Sequence, residues 1–169
     1  TGASEGIEIV MNTLLNPGEN IIMPAPNYPL YEAVANKIGA GKNYYYLDEE
    51  DGWQPDVEDM RKKINDKTRA ILLINPNNPT GGVYGKKVLK QIIDIAAEKK
   101  LPILSDEIYD QLLFDGEKHV STASLTNEVP VITFNGLSKN YLATGWRIGW
   151  IIQNNIDAKS GFATTINNM

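Results

Sequence analysis

The stretch at 69–105, "RAILLINPNNPTGGVYGKKVLKQIIDIAAEKKLPILS", decides the fold that we expect. It begins with a continuous apolar run at 69–74, which is typical of a strand buried on both faces. Residues 86–100 then place apolar side chains at helical spacing, and a second apolar run follows at 101–105. A strand, a helix and a strand in this order form a parallel βαβ unit.

The same alternation continues on both sides of this unit. Further strands are predicted at 20–24, 43–47, 129–134 and 147–152, and further helices at 4–15, 28–39 and 55–65. Pro55 is expected in the first turn of the last of these helices. The pattern predicts an α/β fold, with a mostly parallel sheet that carries helices on both faces.

Composition excludes several classes of site. The chain has 169 residues, enough for one domain with a sizeable core. Its net charge of −5 argues against nucleic acid or an anionic membrane as the partner, and no apolar run approaches the roughly 20 residues that span a bilayer. The absence of cysteine excludes a disulfide framework and favours a reducing compartment such as the cytoplasm. A multi-histidine metal site is also excluded, because His119 is the only histidine, and its polar loop predicts a surface position.

Polar residues follow four of the predicted strands at the point where each strand ends. Ligands of parallel sheets bind beyond the carboxyl ends of the strands, so these residues are expected to converge on one site. They belong to the segments "PNYP" at 26–29, "NPNNPTG" at 75–81, "DEIY" at 106–109 and "NGLSK" at 135–139.

Two cations in the last segments are candidates for opposite roles in that site. Lys139 follows a buried strand, and a partly desolvated pocket there would favour the neutral, nucleophilic amine. Arg147 offers a forked, permanently charged group that suits phosphate. Its apolar neighbours Trp146, Ile148 and Trp150 argue against a solvated position. Both cations could otherwise be ordinary surface residues.

The other candidates each have a plain structural alternative. The backbone of Gly2, Ala3 and Ser4 opens a helix and could bind an anion, although Ser4 could equally be an ordinary N-cap. Asp106 could pair with a cationic ligand, or with a neighbouring lysine or a helix end. The remaining three side chains could bind an aromatic ligand by hydrogen bonding or stacking, or could belong to a loop and the core: Asn78, Tyr109 and Tyr28.

Four blocks of the sequence, taken in order, resemble one family. They are "GASEGI" at 2–7, "PAPNYPLY" at 24–31, "NPNNPTG" with "SDEIYDQLLFDG" at 75–81 and 105–116, and "FNGLSKNYLATGWRIGW" at 134–150. Together they resemble the large domain of the fold type I, class I/II pyridoxal-phosphate aminotransferases. The second and third blocks are most similar to the alanine aminotransferase branch.

The resemblance implies a role for each candidate residue. Lys139 would form a Schiff base with pyridoxal phosphate and later carry the substrate proton, and Asp106 would pair with the pyridinium nitrogen. Asn78 and Tyr109 would bond the ring oxygen, and Asn78 would also contact the substrate carboxylate. The remaining cofactor contacts would be stacking by Tyr28 and phosphate binding by Gly2, Ala3, Ser4, Ser138 and Arg147.

The resemblance also predicts how the chain is organised. Residues 1–152 are expected to be a cofactor-binding large domain, and 153–169 an unplaced tail or linker. The chain opens directly on a helix without an initiator methionine, so we interpret it as a piece of a longer protein. An N-terminal segment and a C-terminal small domain would be missing, with the substrate-binding arginine and a tyrosine from a homodimer partner. Some relatives carry a serine where this chain has Gly136, so that phosphate bond would be either absent or supplied by Ser138.

The expected activity is transfer of an amino group between an L-amino acid, alanine or glutamate, and a 2-oxo acid. The piece alone is expected to be inactive. Alternatives of the same fold are a carbon–sulfur lyase, an aminocyclopropane-carboxylate-type synthase or a non-catalytic aminotransferase-like regulatory domain. A dinucleotide-binding domain is disfavoured, because no GxGxxG motif follows any strand.

Overall fold

The computed structural model describes residues 1–168, which form one sheet flanked by helices. The strands are β1 (Asn20–Ala25), β2 (Gly41–Asp48), β3 (Gln54–Pro55), β4 (Thr68–Ile74), β5 (Ile103–Asp106), β6 (Val131–Gly136) and β7 (Gly149–Asn154). The α-helices are α1 (Gly2–Leu14), α2 (Pro29–Ile38), α3 (Val57–Lys63), α4 (Lys86–Lys99) and α5 (Gly161–Asn168), with 3-10 turns at Thr122–Leu125 and Thr144–Trp146.

The seven strands lie in the order β3-β2-β1-β4-β5-β6-β7. The five central strands are parallel to one another, in the spatial order β2, β1, β4, β5 and β6. Strands β3 and β7 pair antiparallel at the two edges. The expected mostly parallel α/β sheet is therefore confirmed. The ladders between β4, β5 and β6 align Ile74 with Asp106 and Asp106 with Phe134, so these three strands end together.

Alternation along the strands divides the core into two layers. Along β4, Ala70, Leu72 and Ile74 contact the layer of α1 and α2, whereas Ile71 and Leu73 contact the layer of α3 and α4. Both layers are dry, because the apolar side chains of β4 are at most 1% exposed. Burial on both faces accounts for the continuous apolar run that the sequence shows at this strand.

Three element boundaries differ from the sequence predictions. Pro55 lies in the short strand β3 instead of a helix, and α3 begins after Asp56, whose carboxylate accepts a hydrogen bond from the Asp59 N–H at 2.9 Å. Helix α1 begins at Gly2, so Ser4 lies inside its first turn and is not the N-cap. Strand β7 begins at Gly149, because Arg147 takes a left-handed backbone conformation that ends the preceding turn.

The segment after 152 continues the fold. Strand β7 runs on to Asn154, and α5 packs Ile166 into the layer of α1 and α2. None of the helices in residues 1–168 is both long and apolar enough to cross a membrane.

A candidate active site at the ends of three strands

A cavity of about 250 Å³ lies where β4, β5 and β6 end beside the first turn of α1. Nine of the ten predicted site residues line it: Ala3, Ser4, Tyr28, Asn78, Asp106, Tyr109, Ser138, Lys139 and Arg147. The convergence expected from the strand ends is present in the structure. The sheet register explains it, because the three neighbouring strands stop at the same level.

Asp106 closes the inner end of the cavity. It is the last residue of β5 and faces the α1–α2 layer, two positions after Leu104, which belongs to that layer. Its carboxylate is buried, and Oδ2 accepts a hydrogen bond from the Tyr31 hydroxyl at 2.8 Å. The Ile108 N–H donates to Oδ1 at 3.2 Å. These two donors fix the direction of the carboxylate.

Burial raises the pKa of the Asp106 carboxyl from 3.8 to about 6. The Tyr31 hydrogen bond opposes this rise because it stabilises the ionised form. The positive charge of Lys139 also lowers the pKa of Asp106, by less than the Tyr31 hydrogen bond does. Within residues 1–168, no basic side chain forms a salt bridge with Asp106. A buried carboxylate of this kind would be stabilised by a cationic ligand.

Lys139 lines the same cavity as Asp106 and Arg147. It follows β6 by three residues, in a turn in which the Leu142 N–H donates to the Lys139 carbonyl at 3.3 Å. The side chain is half-buried, and its Nζ lies 5.6 Å from the centroid of the Tyr109 ring. That position leaves the amine inside the cavity.

The outer end of the cavity suits an anion. The first turn of α1 contributes Ala3 and Ser4, and N–H groups in a first helical turn have no carbonyl partner within the helix. Arg147 stands beside them, and its Nη1 donates to the Thr144 carbonyl at 2.9 Å. The guanidinium is exposed, so it can reach a phosphate group that enters from solvent.

Two glycines bring α1 and Arg147 this close together. A Cβ on Gly149 would lie 2.3 Å from the Ala3 nitrogen, so only glycine lets α1 begin against β7. A Cβ on Gly2 would lie 2.8 Å from Arg147 Nη2. Gly2 does not line the cavity, and its N–H already donates to the Arg147 carbonyl at 2.7 Å. In this structure Gly2 makes room for Arg147, and its direct contact with the phosphate stays a prediction.

Four polar side chains of the cavity are free to bond a ligand. Within residues 1–168, the side chains of Ser4, Asn78, Tyr109 and Ser138 make no hydrogen bond to the protein. Tyr28 is 38% exposed at the cavity wall and packs edge-on against Tyr31, so its ring can stack on a planar ligand.

The residues present fit pyridoxal phosphate. Its phosphate would carry the charge that Arg147 and the first turn of α1 can bind. Its ring nitrogen, when protonated, would supply the positive charge that the buried carboxylate of Asp106 does not receive from a basic side chain within residues 1–168. Asn78 and Tyr109 are free to bond the ring oxygen. Gly136 cannot be replaced by the serine of some relatives on this backbone, because its Cβ would lie 2.7 Å from the Ile148 carbonyl oxygen. Ser138 lines the cavity and is available in its place.

Two predictions from the sequence are wrong. His119 is not a surface residue, because its side chain is 10% exposed and its Nε2 lies 3.1 Å from Oε2 of the buried Glu107. The apolar neighbours of Arg147 do not bury it, since Trp146 is 71% exposed and Ile148 is 45% exposed. The guanidinium is held by backbone carbonyls instead of by an apolar surround.

Sequence reasoning also missed several residues of the site. Tyr31 was overlooked, although it follows Tyr28 by three positions and so shares a helix face with it. The lining residue Ile7 was also overlooked, and it follows Ser4 by three positions in α1. Ile108 follows Asp106 by two positions, and the other overlooked lining residues are Ile74 and Thr144.

Comparison with known proteins agrees with this geometry. The family model described as aminotransferase class I and II matches residues 1–169. The chain is 48% identical over 154 residues to the glutamate-pyruvate aminotransferase AlaA of Escherichia coli K12, covering 90% of this chain and 38% of that protein. It is 45% identical over 150 residues to an alanine aminotransferase of Mycobacterium tuberculosis H37Rv, covering 89% of this chain and 35% of that protein.

Solved structures give the same result. The alanine aminotransferase of Pyrococcus furiosus superimposes with a TM-score of 0.93 at 44% identity, covering 99% of this chain and 42% of that one. The tyrosine aminotransferase of Leishmania infantum gives a TM-score of 0.94 at 30% identity, covering 99% of this chain and 45% of that one. The chain thus spans less than half the length of the relatives that it matches.

Proposed function

The chain belongs to the aminotransferase class I and II family, and from this premise we propose that the complete protein is a pyridoxal-phosphate-dependent transaminase. The observation that carries the proposal is the set of charges that line one cavity. Its lining includes a buried carboxylate that has no basic partner among the described residues, a half-buried lysine amine, and an exposed arginine beside a helix N-terminus.

Each residue has a defined task in this proposal. Arg147, Ser138 and the α1 backbone bind the phosphate, and Tyr28 stacks on the ring. Asn78 and Tyr109 donate to the ring oxygen, and Asn78 also contacts the substrate carboxylate. Asp106 keeps the ring nitrogen protonated by giving it a negative partner. Lys139 would take the proton from the substrate α-carbon as a general base and release it again as a general acid.

The cofactor would supply an aldehyde that accepts amino groups and a protonated ring that withdraws electrons. The chain's own contribution is orientation and proton transfer. Residues 1–152 are assigned to the cofactor-binding large domain, and the segment after it packs against α1 through Ile166.

We propose L-alanine and L-glutamate as amino donors and their 2-oxo acids as acceptors. This is supported by relatives at 45–48% identity that are named alanine or glutamate-pyruvate aminotransferase. A tyrosine aminotransferase of Dictyostelium discoideum is also 45% identical, so identity alone does not choose the donor. We further propose that the complete protein is cytoplasmic and forms a homodimer. Light scattering of the purified protein tests the dimer.

The experiment treats the complete protein with pyridoxal phosphate and then borohydride, and maps the labelled peptide. The adduct is expected on Lys139, and a label on Lys86 or Lys100 would refute the assignment. Alanine with 2-oxoglutarate should then yield pyruvate and glutamate in equal amounts. Release of a thiol, ammonia and pyruvate from L-cystathionine, without glutamate formation from alanine, would instead identify a carbon–sulfur lyase, and a bound cofactor without any turnover would identify a regulatory domain.

A further inference from the structure

Asp110 joins the two turns that carry Tyr109 and Lys139, and nothing in the roles described above uses it. It lies in the turn after β5, one residue beyond Tyr109, where its N–H donates to the Glu107 carbonyl at 3.1 Å. Its half-buried carboxylate is directed toward the turn that follows β6.

Both oxygens of this carboxylate accept hydrogen bonds from side chains that flank Lys139. The Asn135 amide nitrogen donates to Oδ2 at 3.1 Å, and the Asn140 amide nitrogen donates to Oδ1. Asn135 is the second-last residue of β6 and lies four residues before the lysine, and Asn140 follows the lysine directly. The bridge therefore holds the lysine turn on both sides.

The bond to Asp110 is the one that fixes the Asn140 side chain. The side-chain oxygen of Asn140, Oδ1, is buried and has no hydrogen-bond partner within the described chain. Without the carboxylate, the amide nitrogen would also lose its acceptor, and an unpaired buried amide costs about 1–3 kcal/mol. Loss of Asp110 would thus release the residue next to Lys139.

We propose that Asp110 is a positioning residue that holds the Lys139 amine at the cavity. It does not touch the ligand itself, and it acts through Asn135 and Asn140. The idea rests on the proposed function in one respect, namely that Lys139 is the amine that bonds the cofactor aldehyde. In that reaction the amine nitrogen forms the new bond to carbon, and the aldehyde oxygen leaves as water.

The test follows the formation of that bond when the cofactor-free complete protein is mixed with pyridoxal phosphate. Asp110→Ala is expected to slow the rate about tenfold or more, because the amine spends less time in the reactive position. Asn140→Ala should slow it less, without any change of charge. Asp94→Ala removes an exposed carboxylate on α4 and should leave the rate unchanged.

A second ligand separates positioning from general structural support. Pyridoxamine phosphate has no aldehyde and cannot bond the lysine, so its affinity for Asp110→Ala should stay within about twofold of the original protein. An unchanged bond-formation rate would overturn the proposal. So would a parallel loss of rate, pyridoxamine phosphate affinity and melting temperature, which would make Asp110 merely structural. A borohydride label outside Lys139 in the original protein would instead refute the proposed function.

Discussion

At the scale of single residues, the burial of Asp106 and its hydrogen bond to Tyr31 set the electrostatics of the site. A carboxyl with a raised pKa binds its proton more tightly in the folded chain than in the unfolded one. Its contribution to stability is therefore greatest below pH 3.8 and is lost as the pH rises toward about 6. The cofactor-free protein should lose roughly 3 kcal/mol of stability from this one group across that window.

Asp106→Asn isolates this effect, because an amide keeps the shape without ionising. The variant should gain stability relative to the original protein as the pH rises from about 3 to about 7, by about 3 kcal/mol. Urea unfolding of both cofactor-free proteins at several pH values measures the difference. A difference that is constant with pH, or that has the opposite slope, would contradict the environment described for Asp106.

Tyr31→Phe provides the second arm of that experiment. Removing the hydroxyl takes away a donor that favours the ionised carboxylate, so the pKa of Asp106 should rise further, by about one unit or more. The upper end of the pH window should therefore move above 6. Tyr28→Phe is the matched control, because the Tyr28 hydroxyl makes no hydrogen bond to Asp106.

At the scale of elements, the contact between α1 and β7 builds the phosphate end of the cavity. Gly149→Ala would place a methyl group 2.3 Å from the Ala3 nitrogen and 2.7 Å from the Gly2 carbonyl carbon. Both are backbone atoms, so the first turn of α1 must move. We expect a loss of about 1–3 kcal/mol in stability, as for other overpacked sites.

The same displacement should weaken phosphate binding. Affinity for pyridoxamine phosphate should fall about tenfold in Gly149→Ala, measured by titration calorimetry. Gly85→Ala is the control, because its Cβ would have 3.9 Å to the nearest neighbour at an ordinary helix start. Equal affinities in the two variants would show that α1 can begin elsewhere without cost to the site.

Strands were easier to predict than the details of their ends. The apolar run of β4 is visible in the sequence because both faces of that strand are buried, and the polar residues after it then locate the site. Pro55 suits a helix start as well as an edge strand, so pattern alone could not decide it. Arg147 takes a left-handed backbone conformation, which an arginine in a sequence does not indicate.

Long-range pairs were beyond the reach of sequence patterns. Tyr31 meets Asp106 across 75 positions, and His119 meets Glu107 through a loop that reads as polar and exposed. Such contacts depend on how α2 and the 110–121 loop pack against the sheet. The positions of Asp106 and Lys139 at the cavity could be predicted because motif and strand end coincide at both of them.

At the scale of the whole molecule, the site is open on the side of Arg147. Trp146 is 71% exposed and Leu142 is 87% exposed beside it, and apolar exposure of this extent is typical of a surface that meets another segment or chain. The relatives are more than twice as long as this chain. We therefore expect the proposed activity to need more protein than residues 1–169.

Residues 1–169 alone are expected to bind pyridoxal phosphate weakly and to show no aminotransferase turnover. The phosphate end of the cavity begins at Ala3, two residues from the terminus, and ordering a frayed terminus costs about 1–2 kcal/mol per residue. The internal contacts remain: Asp106, Lys139, Asn78, Tyr109 and Arg147. They support capture of the cofactor, but among the residues that the structure describes no second arginine lines the cavity to hold the substrate carboxylate in reactive geometry.

Titration of the purified 1–169 chain with pyridoxal phosphate, followed by an assay with alanine and 2-oxoglutarate, tests this expectation. The complete protein is measured beside it at the same cofactor saturation, so that weak binding is not mistaken for slow chemistry. Turnover near that of the complete protein would mean that residues 1–169 already hold the substrate carboxylate. The exposed Arg147 would then be the first residue to examine, since it is the forked cation that lines this cavity within residues 1–168.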